Sequence, residues 1–126
     1  MNCTTQTVLL VDDNTLVRRG LRTLFESAGF VCGESQSGAE AIERVKELKP
    51  DLIVLDFSMP GMNGLEAAPL LKKILPETPI IMFTMFANPA LATLAVAAGV
   101  TAVVSKDEAV TQLIPKAEWL LKSSSE

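Results

Sequence analysis

Acidic residues directly follow two apolar runs of the sequence. Residues 8–11 are followed by Asp12 and Asp13, and residues 52–55 are followed by Asp56. Short apolar runs of this kind are typical of strands that are buried on both faces. If the two strands are neighbours, the three carboxylates meet at one edge of a sheet, and their repulsion raises the pKa of at least one of them. A divalent cation relieves such repulsion, and oxygen-only ligands favour Mg²⁺ or a similar hard ion.

The same acidic residues also have an ordinary structural explanation. Side chains of Asp and Asn after a strand often bond nearby backbone amides in a turn or cap the next helix, and the segment after Asp56 is rich in turn residues. Two further apolar runs favour a site, because one ends in Thr84 and the other ends in Ser105 and Lys106. Three acids, a hydroxyl and a cation at four strand ends indicate more than turn chemistry.

Strand and helix patterns alternate along the chain. Apolar residues recur with the period of one helix face after Asn14, and four more helical patterns follow, of which the third begins after Gly64 and the fourth opens with Asn88 and Pro89. Five strands and five helices in strict alternation predict an α/β protein with a flavodoxin-like, doubly wound parallel sheet of strand order 2-1-3-4-5. The binding site of such a sheet lies outside the carboxyl ends of its strands.

Two prolines conflict with this helical pattern. Pro69 and Pro115 fall about one turn inside the third and fifth predicted helices, where a proline removes a hydrogen bond and clashes with the preceding turn. Either those helices begin late, with proline near the first turn, or they kink.

The composition predicts one domain without a nucleic-acid-binding surface of its own. The chain has 126 residues, 48% of them hydrophobic, and a net charge of −4, which allows one core and lacks a basic footprint. Residues 78–105 carry no charge, but prolines, an asparagine and a glycine interrupt them, so we expect no membrane span. We expect Cys3 and Cys32 to be reduced thiols and, without a secretory signal at the start, a cytoplasmic location.

Together these residues resemble the receiver domains of two-component response regulators, and the similarity covers nearly the whole chain. The positions at that family's spacing are Asp12, Asp13, the segment 56–64, Thr84 and Lys106. The segment around Lys106 and Asp107 is most similar to receivers of the subfamily that carries a carboxy-terminal helix-turn-helix. The resemblance implies a receiver domain over residues 1–122 and a linker or tail over residues 123–126.

The resemblance also implies a role for each matched position. Asp56 would take a phosphoryl group from a partner's phosphohistidine as an acyl phosphate. Lys106 would pair with a phosphoryl oxygen, and Thr84 would donate its hydroxyl to the phosphoryl group once it is formed. The implied Mg²⁺ ligands are Asp13 and Asp56 directly, Asp12 through water, and the main-chain carbonyl of Ser58. The chain would thus catalyse its own Mg²⁺-dependent phosphorylation and dephosphorylation without being an enzyme in the usual sense.

Two positions depart from the common receiver pattern. Val103 stands where receivers often carry an aromatic switch residue, and a valine cannot swing a ring between buried and exposed positions. Asp107 stands where a proline with a cis peptide bond often follows the lysine. Because a cis bond without proline costs about 2.5–4 kcal/mol, we expect a trans bond here.

The implied partner is a histidine kinase or a histidine phosphotransfer protein, since the chain contains no histidine of its own. A charged surface for that partner is predicted on the first helix, formed by Arg18, Arg19 and Arg22. The uncharged fourth helix, with Ala92 and Val96 outward, would contact a second copy or an output partner together with the fifth strand and fifth helix. The alternative is an ordinary surface of small side chains.

Two other functions are possible for this chain. A phosphatase of the haloacid dehalogenase type is also a Mg²⁺-dependent α/β protein, but it carries Asp-x-Asp at its nucleophile, and here Ser58 stands two residues after Asp56. A degenerate receiver that serves only as a protein-interaction module fits Val103 but not the intact acidic set. Binding of a phosphate mimic would separate these functions. The chain is either a stand-alone receiver or one excised from a longer protein.

Overall fold

Five parallel strands form one sheet with helices on both faces. The computed structural model describes residues 5–124. The strands are β1 (Thr7–Val11), β2 (Val31–Ser35), β3 (Leu52–Asp56), β4 (Ile80–Thr84) and β5 (Ala102–Ser105). The helices are α1 (Thr15–Ser27), α2 (Gly38–Leu48), α3 (Gly64–Ile74), α4 (Pro89–Ala97) and α5 (Ile114–Ser124), with a 3-10 turn (Lys106–Glu108) and a π-helical turn (Ala109–Leu113) before α5.

The strand order is β2-β1-β3-β4-β5, as the sequence predicts. All four strand pairs are parallel, so the carboxyl ends of the strands share one edge. The register aligns Val11 with Leu55 and aligns Thr84 with Ser105. The residues that follow β1 and end β3 are therefore neighbours at that edge, which is where the sequence predicts a site.

Alternate residues of the central strands supply two separate cores. Leu9, Ile53 and Met82 pack against α2, α3 and α4, whereas Val8, Val54 and Ile81 pack against α1 and α5. Every residue of β3 and β4 is buried, as expected of strands covered on both faces. These rigid strands fix the places at which the chain leaves the sheet.

The fifth helix differs from its predicted extent. The predicted helix included Val110, but α5 begins only at Ile114, and Val110 is 78% exposed. Pro115 has no N–H to donate to the preceding turn, and the chain forms the π-helical turn there instead. This helix therefore begins late, which is one of the two alternatives that its proline left open. Pro69, in contrast, lies inside α3, which begins at Gly64, one residue before its predicted start.

The structure also tests several smaller predictions, on a peptide bond, the uncharged segment and the cysteines. No described peptide bond is cis, so the bond between Lys106 and Asp107 is trans as expected. The uncharged residues 78–105 divide into β4, α4 and β5, and none of the helices within the described residues is long and apolar enough to cross a membrane. Cys32 is a free thiol, and burial raises its pKa. Cys3 and the end of the predicted tail at residues 125–126 lie outside the described residues.

Candidate functional site

The three predicted carboxylates meet at the carboxyl edge of the sheet. Asp12 follows β1 and Asp56 ends the adjacent strand β3; both are buried, with exposures of 1% and 4%. Asp13 is exposed, and the three residues each offer a carboxylate oxygen within 4.8 Å of the others. A set of hard oxygen donors with one solvent-facing member suits Mg²⁺, which keeps several waters when a protein binds it.

Lys106 bridges the two buried carboxylates. Its Nζ lies 3.1 Å from Asp12 Oδ2 and 3.2 Å from Asp56 Oδ1, and its side chain is 18% exposed. Burial lowers the pKa of Lys106, but the hydrogen bonds and charges of Asp12 and Asp56 outweigh burial and raise it overall. The lysine is therefore a fixed cation, held in place by its attraction to the two negatively charged carboxylates.

The charged form of the Asp56 carboxyl group is unfavourable in the folded protein, even with Lys106 beside it. Its pKa is raised, first by burial and second by the charge of Asp12, while Lys106 and the main-chain N–H of Ser58 act in the opposite direction. A carboxylate whose charge is poorly compensated gains from any added positive charge. Asp56 is thus a carboxylate that a further cation beside it would stabilise.

The sequence predicts that the Ser58 carbonyl is a metal ligand, and the contacts of this structure do not test that role. Ser58 is exposed, and its main-chain N–H donates to the Asp56 carboxylate. The chain then turns back so closely that a side chain on Gly64 would lie 2.6 Å from the Asp56 carbonyl oxygen. Glycine is therefore required at the start of α3, a packing reason that the turn pattern alone does not reveal.

Thr84 occupies the end of β4 and is 1% exposed. Its hydroxyl oxygen accepts a hydrogen bond of 3.0 Å from the main-chain N–H of Phe86 in the loop before α4. The predicted hydroxyl is thus buried and bonded to a loop whose Met85 and Phe86 side chains are exposed.

The ordinary explanation of the first acidic segment is also correct in part. Asn14 caps α1, because its side chain accepts from the N–H of Val17. The Asn14 N–H in turn donates to Asp12 Oδ1 at 2.9 Å. Turn chemistry therefore holds Asp12 in place, but it does not account for Asp13 or for the convergence on Asp56.

The three arginines predicted to form a charged surface on α1 differ in exposure, and no contact of this structure tests a partner there. Arg18 and Arg22 both pair with Glu34 of β2, at 2.9 and 2.7 Å, and the Arg18 side chain is only 12% exposed. Of the three arginines, only Arg19 is exposed. Glu34 is the signal for this pairing in the sequence, but the helix periodicity of α1 alone could not show that β2 lies beside that helix.

Known proteins are similar to this chain in sequence and in fold. Residues 8–118 match the family model of the response regulator receiver domain. The chemotaxis protein CheY of Thermotoga maritima is 41% identical over 93 residues, which cover 73% of this chain and 78% of that protein. The response regulator protein VraR of Staphylococcus aureus is 44% identical over 81 residues, which cover 63% of this chain and 39% of VraR.

Solved structures agree with these sequence relatives. A two-component response regulator of the LuxR family from Aurantimonas superposes with a TM-score of 0.90 at 32% identity, covering 95% of this chain and 87% of that one. The chemotaxis protein CheY4 of Vibrio cholerae gives a TM-score of 0.88 at 25% identity, covering 93% of this chain and 99% of that one. The chain belongs to the response regulator receiver family of two-component signalling, a family that generally binds Mg²⁺ and whose members interact with histidine kinases.

Proposed function

We propose that this chain is a phosphoacceptor receiver in which Asp56 takes a phosphoryl group from a partner's phosphohistidine. The observation that carries the proposal is the lysine that bridges two buried carboxylates, with a third carboxylate exposed beside them. An inert interaction module has no need for a buried acid with an unfavourable charge. Its aspartates could be replaced by neutral residues with a gain in stability.

The chain's own residues divide the work of the transfer. An oxygen of the Asp56 carboxylate attacks phosphorus, the bond from phosphorus to the histidine nitrogen breaks, and an acyl phosphate forms. Lys106, already beside Asp56, pairs with a phosphoryl oxygen. Water later attacks phosphorus, which releases inorganic phosphate and restores the Asp56 carboxylate. Asp12, Asp13, Asp56 and the Ser58 carbonyl would hold Mg²⁺, and the chemistry that the ion would supply there is positive charge against the phosphoryl oxygens.

Metal dependence tests this proposal. In the presence of Mg²⁺ and acetyl phosphate, we expect the protein to gain one phosphoryl group, with acetate as the leaving group. In EDTA we expect no gain, because the cluster then has no divalent cation to offset the repulsion between phosphoryl oxygens and three carboxylates. Intact-protein mass spectrometry measures the gain. Modification at an equal rate in EDTA would contradict the proposed site, and no modification under either condition would favour the interaction module.

Phosphorylation is proposed to act on the output through Thr84. The Thr84 hydroxyl would donate a hydrogen bond to a phosphoryl oxygen, while its oxygen already accepts one from the Phe86 N–H. Val103 is half-buried and packs against the core, so it contributes packing rather than ring motion. The switch is thus a change at the end of β4 and in the following loop.

Spectra with a phosphoryl mimic test this switch. When beryllofluoride and Mg²⁺ are added, we expect backbone amide shifts in the acidic pocket and also in residues 84–88. In the Thr84→Ala variant the pocket shifts should remain and the loop shifts should be largely lost. Shifts confined to the pocket in the unaltered protein would mean that binding does not reach the loop.

The outer face of α4 is the proposed contact for a second copy or an output partner, together with β5 and α5. Val96 is 69% exposed as predicted, and Leu94 adds a second exposed apolar side chain, whereas Ala92 is half-buried. The resemblance to helix-turn-helix receivers makes a DNA-binding domain a candidate output, although this chain itself is not expected to bind nucleic acid.

A glutamate at position 96 tests this face. We expect Val96→Glu to weaken self-association or output binding by a factor of about ten, because a charge is desolvated at a contact, and to leave phosphorylation unchanged. Sedimentation and partner pull-downs measure the effect. Val31→Glu, which places the same charge on an exposed valine of β2, is the matched control. Equal behaviour of both variants and the unaltered protein would make α4 an ordinary surface.

A further inference from the structure

The arginine on α1 that is turned inward touches the acidic turn itself. One Arg18 guanidinium nitrogen donates to the main-chain carbonyl of Asp12 at 2.5 Å, and its Nε donates to Glu34 Oε1 at 2.9 Å. A third contact, of 3.3 Å, joins the guanidinium to the Thr15 hydroxyl. Arg18 therefore connects the start of the acidic turn to the neighbouring strand β2.

The Asp12 carbonyl needs such a donor because of where it lies. Pairing of β1 with β2 ends at Val11 and Ser35, and the last ladder bond runs from the Asp12 N–H to the Ser35 carbonyl at 3.1 Å. The Asp12 carbonyl thus lies just beyond the sheet, on a residue that is 1% exposed. A buried carbonyl without a donor is costly, and here a side chain supplies the donor.

The guanidinium is itself held in one orientation. Glu34 accepts from Arg18 with one carboxylate oxygen and from Arg22 with the other. Arg22 also pairs with Glu26 and donates to the Cys32 carbonyl. Two arginines and two glutamates carry no net charge between them, so the network orients a donor towards Asp12 without adding excess positive charge beside the acidic cluster.

We propose that Arg18 is a positioning residue for the acidic turn, setting where the Asp13 carboxylate lies relative to Asp56. Asp13 is exposed and follows Asp12 directly, so its place depends on how its backbone neighbours are held. Four hydrogen bonds hold Asp12: its carboxylate accepts from Asn14 and Lys106, its carbonyl accepts from Arg18, and its N–H donates to the Ser35 carbonyl. Of the side chains that bond Asp12, Arg18 contacts β2 through Glu34, whereas Lys106 contacts β3 through Asp56. The inference rests on the proposed function, since it assigns Asp13 to the metal.

Two single substitutions separate a positioning role of Arg18 from the effect of its positive charge. Arg18→Gln and Arg22→Gln each remove one positive charge and one partner of Glu34, but only Arg18 contacts Asp12. Calorimetric titration with Mg²⁺ alone measures the dissociation constant of each variant. We expect this constant to be about tenfold higher for Arg18→Gln than for the unaltered protein, the scale of effects from residues that orient metal ligands. For Arg22→Gln we expect a change of less than about twofold. A purely electrostatic role predicts the opposite sign, because loss of a nearby cation favours Mg²⁺ binding.

A second readout does not need the metal. Hydrogen exchange of the Asn14 amide, which is bonded to Asp12 Oδ1, should be about fivefold faster in metal-free Arg18→Gln than in Arg22→Gln, because the turn opens locally. Arg18→Lys should recover only part of both effects, since an ammonium cannot reproduce the planar fork that reaches Asp12 and Glu34 together. If Arg18→Gln does not fold, Arg18→Lys compared with Arg22→Gln decides the question.

The outcomes are distinct from those of the proposed function. If the unaltered protein binds no Mg²⁺, the metal site is wrong, while amide exchange still tests whether Arg18 holds the turn. If Arg18→Gln and Arg22→Gln change the Mg²⁺ dissociation constant and the exchange rate equally, or if Arg18→Gln binds Mg²⁺ more tightly, Arg18 is no positioning residue.

Discussion

Replacing Asp56 by asparagine should abolish phosphorylation and, at the same time, stabilise the metal-free protein. The amide cannot form an acyl phosphate, so we expect the rate with acetyl phosphate and Mg²⁺ to fall at least about a thousandfold, the scale of losing a nucleophile. Burial and the charge of Asp12 raise the pKa of Asp56, which means that folding disfavours its charged form. A neutral residue of the same shape removes that penalty.

The sign of the pH dependence follows from the raised pKa. Above the folded-state pKa the folded protein carries the unfavourable charge, and below the ordinary value of 3.8 both folded and unfolded states are protonated. The stability advantage of Asp56→Asn should therefore be complete above the folded-state pKa and should vanish in acid, below 3.8. A gain of about 1 kcal/mol raises the melting temperature of a domain of this size by about 3–5 °C, which calorimetry resolves.

The control for this prediction is Asp107→Asn, which removes an exposed carboxylate outside the acidic cluster. It should change neither the phosphorylation rate nor the melting temperature appreciably. A melting temperature of metal-free Asp56→Asn that is unchanged or lower at neutral pH would contradict the crowded cluster. Undiminished phosphorylation of that variant would contradict the nucleophile.

Replacing Lys106 by methionine should have the largest effect on stability. In the unaltered protein the Lys106 Nζ lies 3.1 Å from Asp12 and 3.2 Å from Asp56. Methionine fills much of the same volume but leaves these two carboxylates without a cation. Removal of one partner from a buried ionic cluster typically costs about 3–5 kcal/mol. We expect the lower part of that range, because Lys106 keeps some contact with solvent and because Asp56 can take up a proton.

Magnesium should restore part of this loss, because it supplies positive charge to the same carboxylates. Denaturant unfolding with and without Mg²⁺ measures both effects. Lys73→Met, at an exposed position of α3, is the matched control and should lie within about 0.5 kcal/mol of the unaltered protein. Equal stabilities of the two methionine variants without metal would show that Lys106 does not stabilise the cluster.

The architecture and the place of the site were predictable because they depend on patterns that are local in sequence. Apolar runs that end in Asp12, Asp56, Thr84 and Lys106 mark four strand ends, and the alternation of elements places those ends on one edge. Caps such as Asn88 and Pro89 fix helix starts for the same reason, and α4 begins where they predict.

The features that sequence reasoning missed depend on contacts between distant segments. The inward direction of Arg18 follows from Glu34, a residue of β2 that the helix pattern of α1 does not contain. The close approach of Gly64 to the Asp56 carbonyl follows from how the loop after β3 folds back. The π-helical turn before α5 contacts β5, and the local pattern around Pro115 does not predict it.

The position of the phosphoryl group is the most direct test of the central claim. The protein is phosphorylated with acetyl phosphate and Mg²⁺ and then reduced with borohydride, which converts a phosphorylated aspartate to homoserine, and peptide mass spectrometry locates the product. The account predicts homoserine at position 56 and at neither Asp12 nor Asp13. Homoserine at one of those two positions instead, or a phosphoryl group that stays on a hydroxyl and resists reduction, would contradict it.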